Sequence, residues 1–348
     1  MRTQDFLFEY PPEGVAQEPL SERDASRMMV LNRSAATIAD SFFREFPSYF
    51  QEGDVLVLNN TKVIPARLCA QKKSGGKIEV LLVRDLPPAP SFVRRGGKGE
   101  VWECLIRSMR GLKEGDEIFL GEEKTPVRLF TEENKKYLEF PTGFSVRELM
   151  YKEGAAPLPP YIRRKEPRKE DLDRYQTIFA QKEGAIAAPT ASLHFTESIF
   201  KKLRERKVEI HSLTLHVGLG TFKPILSEQI KDHEMQTEYY ELAPSVIDAI
   251  YKAKKEGRPV TAVGTTVVRA LESYFQNPPV SPFTNLFITP GYKFKIIDRF
   301  LTNFHQPCST PLLLTSAFAG KDFLFRAYAQ AIQKKYRLFS YGDCMWVV

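Results

Sequence analysis

Two textures of apolar and polar positions divide this chain. From Val63 to about Phe140, apolar and polar residues alternate in six short runs: ARLCAQKK, KIEVLLVRD, VWECLIRS, DEIFLG, TPVRLF and YLEF. Period-two alternation in evenly spaced segments predicts half-buried strands, and six of them predict a small antiparallel barrel. DLPPAPSF and RRGGKG within this region read as a linker or loop. Beyond Gly154, short apolar runs alternate with helical periodicity. AIAAP reads as a buried strand, Thr196 can cap the helix ESIFKKLRERK, and VEIHSLTLHVG reads as the next strand. Pro244 opens the helix SVIDAIYKAKKEG and Gly257 can stop it. RPVTAVG predicts a strand, GTTVVRALESYF a turn entering a helix, NLFITP a strand, and CMWVV a last buried strand after helices through Phe318 and Lys335. The first sixty residues add an extended start (Asp5–Tyr10), an amphipathic stretch around Thr37–Phe46 and the strand-like GDVLVLNN.

The predicted fold class is therefore α/β: a mostly parallel sheet with flanking helices, plus an inserted small antiparallel β-barrel domain. Residues 1–61 and 152–348 form the α/β catalytic domain, and residues 62–151 the inserted barrel. No internal repeat is present.

Composition narrows the class. At 348 residues, 43% hydrophobic and 27% charged, the chain reads as a globular protein. MRTQDFLFEY carries charge too early for a signal peptide, and no apolar run approaches the roughly 18 residues of a membrane span, so a cytoplasmic protein without a membrane partner is expected. Cys69, Cys104, Cys308 and Cys344 are scattered, which argues against a zinc site or disulfide framework. Net charge is +7, and residues 62–150 carry 17 Lys/Arg against 13 Asp/Glu. In YIRRKEPRK, Arg163, Arg164, Lys165, Arg168 and Lys169 follow Tyr161. Such a loop can neutralise phosphates and offer an aromatic face to a base, or it is an ordinary solvated loop.

Candidate chemistry concentrates late in the chain. All five histidines lie between His194 and His305, mostly beside Gly, Pro or Thr, the texture of strand ends opening into loops. His194 and His216 each end an apolar segment, and one could serve as general base or orienting donor, although a lone His in an apolar run is more often a satisfied structural residue. Cys308 beside His305 is a candidate nucleophile. The turn Val263-Gly264-Thr265-Thr266 offers helix-start N–H groups and two hydroxyls to an anion, with Arg269 one turn on. GxGxxG and Walker loops are absent. His233, Glu234 and Glu238 lack a partner motif, so no metal is expected.

These segments together resemble one family, the S-adenosylmethionine:tRNA ribosyltransferase-isomerases of queuosine biosynthesis. The likeness runs through ERDASRMMVLNR, GDVLVLNNTKVIPARL, LPPYIRR, DRYQTIFA, GAIAAPTASLHFT, HVGLGTFKPI, VGTTVVRALES, FITPGYKFKIID, TNFHQPCST and FSYGDCM, collinear from end to end. It implies an enzyme that moves the ribosyl portion of S-adenosylmethionine onto the 7-aminomethyl-7-deazaguanine base of tRNA and isomerises it, giving epoxyqueuosine-tRNA with release of adenine and methionine. S-adenosylmethionine is then a consumed co-substrate and no cofactor is expected. The resemblance points to His194, His216 and His305 as catalytic candidates. It points to Thr190, Gly218, Gly220, Gly264, Thr265, Thr266 and Arg269 for S-adenosylmethionine, and to Tyr161, Arg163, Arg164 and Lys165 for tRNA. The barrel and basic loop would hold the anticodon stem-loop with the target base extruded. A monomer is expected.

Three positions depart from the family pattern. Gln236 replaces the second His of HxMHxE, Ser192 stands where Gly is usual, and Gln306 where Leu is usual. Two rival readings remain: an S-adenosylmethionine-dependent tRNA methyltransferase, which would want a glycine-rich loop not found here, and a non-catalytic RNA-binding protein.

Overall fold

A computed structural model describes residues 1–86, 99–132, 135–218, 224–276 and 282–348. They divide into two units: Met1–Lys62, Pro159–Arg163 and Arg174–Val348 in the first, Val63–Leu158 and Arg164–Asp173 in the second. The first unit opens with β1 (Arg27–Asn32), β2 (Thr37–Phe42) and β3 (Val55–Asn59), and β4 (Thr61–Val63) leads out of it. The second follows with β5 (Arg67–Lys72), β6 (Lys77–Leu86), β7 (Val101–Arg107), β8 (Glu117–Leu120), β9 (Thr125–Glu132), β10 (Lys135–Glu139) and α1 (Val146–Glu153). After α2 (Glu170–Arg174) come β11 (Lys182–Ala185), α3 (Glu197–Glu205), β12 (Glu209–Leu215), β13 (Glu238–Glu241), α4 (Pro244–Lys255) and β14 (Val260–Val263). The chain ends with α5 (Thr265–Gln276), β15 (Phe283–Thr284), β16 (Arg299–Asn303), α6 (Thr310–Ala319), α7 (Lys321–Gln333) and β17 (Cys344–Val347).

The first unit is built on a nine-stranded sheet of order β15-β13-β12-β3-β14-β16-β17-β1-β2. The expected parallel pairing holds at its centre, where β12, β3, β14 and β16 run parallel. It holds again between β17 and β1, while β16 against β17 and the pairs at both edges are antiparallel. The central strands VLVLN, VTAV and CMWV are buried at every position, as continuous apolar runs must be when helices cover both faces. Edge strand β2 (TIADSF) leaves four of its six residues exposed. Capping follows the sequence signals. Thr196 Oγ1 accepts from the Ile199 N–H at 3.3 Å, Pro244 occupies the first turn of α4, and Gly257 turns the chain away with φ +72°.

Three expectations are corrected. The AIAAP run is not a strand: β11 stops at Ala185, and Pro189, which has no N–H to give a ladder, leads into a 3₁₀ turn over Thr190–His194. NLFITP is irregular, ending at the Pro290-Gly291 turn, and the sheet strand is RFLTN instead. The chain start forms a 3₁₀ turn over Thr3–Phe6 before it extends.

In the second unit, six antiparallel strands close into a barrel of order β10-β7-β6-β5-β8-β9, as their alternation predicts. Leu68, Val80, Leu82, Ile118, Leu120, Val127, Leu129 and Leu138 are all buried in this unit. Most of the expected linker, DLPPAPSF and RRGGKG, lies outside the described residues.

Candidate functional site

Where the central parallel strands end, the first unit opens into a cleft of about 660 Å³ including its mouth. Val217 follows β12, Gly264–Thr266 join β14 to α5, and Thr302–Gln306 run out of β16. Ala187–Ala191, Phe339, Ser340 and Tyr161 complete the walls with Ser309 and Pro311. The carboxyl edge of parallel strands is where open α/β sheets hold ligands, because the loops there diverge. Among the described residues lining the cleft there is no Asp, Glu, Lys or Arg, and only His305 and Tyr161 titrate. Burial pushes the His305 imidazole down to about 3 and the Tyr161 phenol up to about 12, so both are neutral near pH 7. The described lining is thus uncharged, an apolar wall interrupted by hydroxyls, amides and one imidazole.

The three nominated histidines separate. His305 lines the cleft; its Nε2 lies 2.8 Å from Thr302 Oγ1, and its backbone N–H donates to the Tyr328 hydroxyl at 2.7 Å. His194 is buried beside it, with Nδ1 2.8 Å from Ser26 Oγ and Nε2 3.0 Å from Asn303 Oδ1. Asn303 donates through Nδ2 to the carbonyls of Phe339 and Ser340, so its Oδ1 is an acceptor and the His194 proton sits on Nε2. Burial depresses the His194 pKa to about 4. Both its nitrogens are engaged, Nδ1 by Ser26 and Nε2 by Asn303, and Asn303 in turn bonds the carbonyl of Phe339, whose φ of +69° is a strained conformation for a bulky residue in the cleft wall. His216 does not line the cleft. Its Nδ1 lies 2.8 Å from Thr61 Oγ1, its ring stacks on Tyr239, and a Cβ on Gly184 would come within 2.9 Å of its Nε2.

Thr190, Gly264, Thr265 and Thr266 line the cleft as nominated. Arg269 does not. Its side chain is buried, ion-paired to Glu238 and hydrogen-bonded to the Leu286 carbonyl at 3.1 Å, with Nη2 finding no partner among the described residues. Glu238 also accepts the Gly218 N–H at 2.8 Å, so the pair ties α5 to β13 and the segment after β12. Arg269 borders a smaller cavity that shares Thr265, Thr266 and Pro311 with the cleft. Gly220 lies outside the described residues. Tyr161 is half-buried, its hydroxyl 2.7 Å from Ser340 Oγ and its ring against Phe339. Arg163 and Lys165 are exposed, whereas Arg164 is buried and grips Asp171 with two hydrogen bonds of 2.8 and 3.0 Å. No group of three or more His, Cys, Asp or Glu side chains converges among the described residues.

Residues 3–347 match the family described as queuosine biosynthesis protein. Relatives named S-adenosylmethionine:tRNA ribosyltransferase-isomerase are 44% identical in Sulfurihydrogenibium sp. and 45% identical in Syntrophotalea carbinolica, over the full length of both chains in each case. The chain belongs to the queuosine biosynthesis protein family. A crystal structure of the S-adenosylmethionine tRNA ribosyltransferase from Thermotoga maritima is similar with a TM-score of 0.54 at 33% identity, covering 99% of this chain and 100% of that one. Against the family pattern, Gln306 lies in the cleft wall, Ser192 is buried with no hydroxyl partner among the described residues, and Gln236 is exposed. Asn303, Ser340 and Glu238 were missed as site residues by sequence reasoning, although each sits in a motif that carries the family likeness or, for Glu238, in the HEMQTE segment.

Proposed function

We propose that this protein transfers and isomerises the ribosyl moiety of S-adenosylmethionine onto the 7-aminomethyl-7-deazaguanine base of tRNA, releasing adenine and methionine. The observation that carries this reading is the family match over residues 3–347, several of whose segments meet at one cleft that is uncharged among the described residues. Such a cleft suits a nucleoside: hydroxyls and amides can meet ring nitrogens and ribose oxygens, and the apolar lining can cover the adenine. His305, as the titratable imidazole in the wall, is the group we assign to proton transfer at the ribosyl portion. Thr190, Gly264, Thr265 and Thr266 are assigned to the S-adenosylmethionine chain, with the α5 N-terminus favouring its carboxylate. His194 and His216 act as positioning residues, and Arg269 acts through Glu238. Exposed Arg163 and Lys165 supply phosphate contacts to tRNA, while Arg164 organises that loop through Asp171.

Incubating the protein with S-adenosylmethionine and tRNA bearing the aminomethyl-deazaguanine tests the reading. Free adenine and methionine are expected in equal amounts. S-adenosylhomocysteine would instead indicate methyl transfer, and tRNA binding without turnover would leave a non-catalytic binding protein.

A further inference from the structure

The motif GDVLVLNNTK spans the end of β3. Its Asn59 is completely buried and makes four hydrogen bonds. Oδ1 accepts the N–H groups of Thr61 and Leu215, each at 3.1 Å. Nδ2 donates to the Leu215 carbonyl at 2.9 Å and to Thr266 Oγ1 at 3.1 Å. Backbone N–H groups only donate and a carbonyl only accepts, so the amide has one orientation and its NH₂ faces Thr266. The Thr266 oxygen therefore acts as acceptor toward Asn59, and its own hydrogen must point elsewhere. Among the described residues no acceptor takes that hydrogen. Thr266 is 6% exposed, and the surface it has faces the cleft and the adjoining cavity beside Arg269.

We propose that Asn59 is a positioning residue that turns the Thr266 hydroxyl into a committed donor toward an acceptor oxygen or nitrogen of the co-substrate. This rests on the reading that S-adenosylmethionine occupies the cleft. A threonine left to itself at a helix start can satisfy its hydrogen on local backbone. Here the amide supplies one hydrogen to the oxygen from a rigid strand end, and the donor direction is set before ligand arrives. Pre-set donors cost no reorganisation when the ligand binds, so removing one shows mainly in affinity.

Steady-state adenine release with tRNA saturating tests this. Asn59→Asp keeps the acceptors for both N–H groups but its carboxylate donates neither to the Leu215 carbonyl nor to Thr266, whose hydroxyl then turns to the new carboxylate. Asn59→Asp and Thr266→Val are each expected to raise the KM for S-adenosylmethionine about tenfold and to change kcat by less than about threefold. Thr266→Ser, which keeps the hydroxyl, is expected to recover most of the Thr266→Val loss. The double variant Asn59→Asp/Thr266→Val is expected to be no worse than the poorer single one, because both remove the same donor. Losses that multiply, or an unchanged KM with a lowered Tm, would make Asn59 a structural residue only and overturn the proposal. If Asn59→Asp does not fold, the shorter Asn59→Ser takes its place, with the same two outcomes. Absence of adenine release from the wild-type protein defeats the functional reading itself, whereas turnover with a different variant pattern defeats this inference alone.

Discussion

The barrel and the cleft treat the space between strands in opposite ways. In the barrel, Leu68, Leu82, Leu120, Leu129 and Leu138 are each at most 1% exposed. Six strands close too tightly to leave room for a ligand once such side chains fill them. Its 62–150 stretch carries its excess of positive charge without a single histidine, so what it offers a partner is surface. In the first unit the parallel strands diverge at their carboxyl ends, and hydroxyls, amides and one imidazole line the opening. The lesson concerns what each packing permits: a filled closed barrel supports recognition on its outside, and diverging strand ends support chemistry within.

The sharpest test of that contrast is His305→Gln. The amide fills similar space and keeps a partner for Thr302 but cannot carry a proton between atoms. Single-turnover adenine release is expected to fall by about 10²- to 10⁴-fold, with tRNA affinity unchanged. Retention of more than a tenth of the rate would remove His305 from the chemistry. The counterpart in the barrel is Leu82→Ala, which deletes a fully buried side chain. It is expected to cost about 2–5 kcal/mol of stability in that unit. Trp102 in the barrel and Trp346 in β17 are the two tryptophans of the chain, so Trp346→Phe and Trp102→Phe backgrounds report each unit by fluorescence. The loss should appear in the Trp102 signal while the KM for S-adenosylmethionine stays put. An equal shift in the Trp346 signal would mean that the two units unfold as one.

How much of this was legible in the sequence follows from what each signal encodes. The barrel strands alternate with period two, and one buried face is enough to write that pattern, so all six were readable. VLVLN and VTAV were readable as continuous apolar runs. RFLTN was not, because its strand is short and ends in polar residues that belong to the cleft, while NLFITP looked more strand-like than its Pro-Gly turn allows. The cleft itself was half legible. The Gly264-Thr265-Thr266 turn announces a helix start, and both it and His305 line the cleft. What sequence could not show is which side chains are already engaged. Arg269 is held by Glu238 and His194 by Ser26 and Asn303, pairings that join segments far apart in the chain, and even the nearby Arg164–Asp171 pair leaves no periodic signal.

The smallest expected effect separates the units by acidity. His194 titrates near 4 in the folded chain against an ordinary histidine value near 6.5, because burial disfavours its charged form. The unfolded chain thus takes up a proton at a pH where the folded chain does not. Stability is complete above about pH 6.5 and declines as pH falls toward 4, by up to about 1.4 kcal/mol per pH unit for this one group. His305, depressed further, acts in the same direction. Urea titrations at pH 7 and 5.5 followed by Trp346 should therefore show a lower midpoint at the acid pH. His194→Gln should weaken that dependence, since it removes a group whose pKa differs between the two states. Followed by Trp102 the midpoint should hold steady, because every histidine of the chain lies outside the barrel. A Trp102 signal that moves with Trp346 would show that acid stress reaches the barrel through the other unit, and the division between chemistry and surface would not extend to their stabilities.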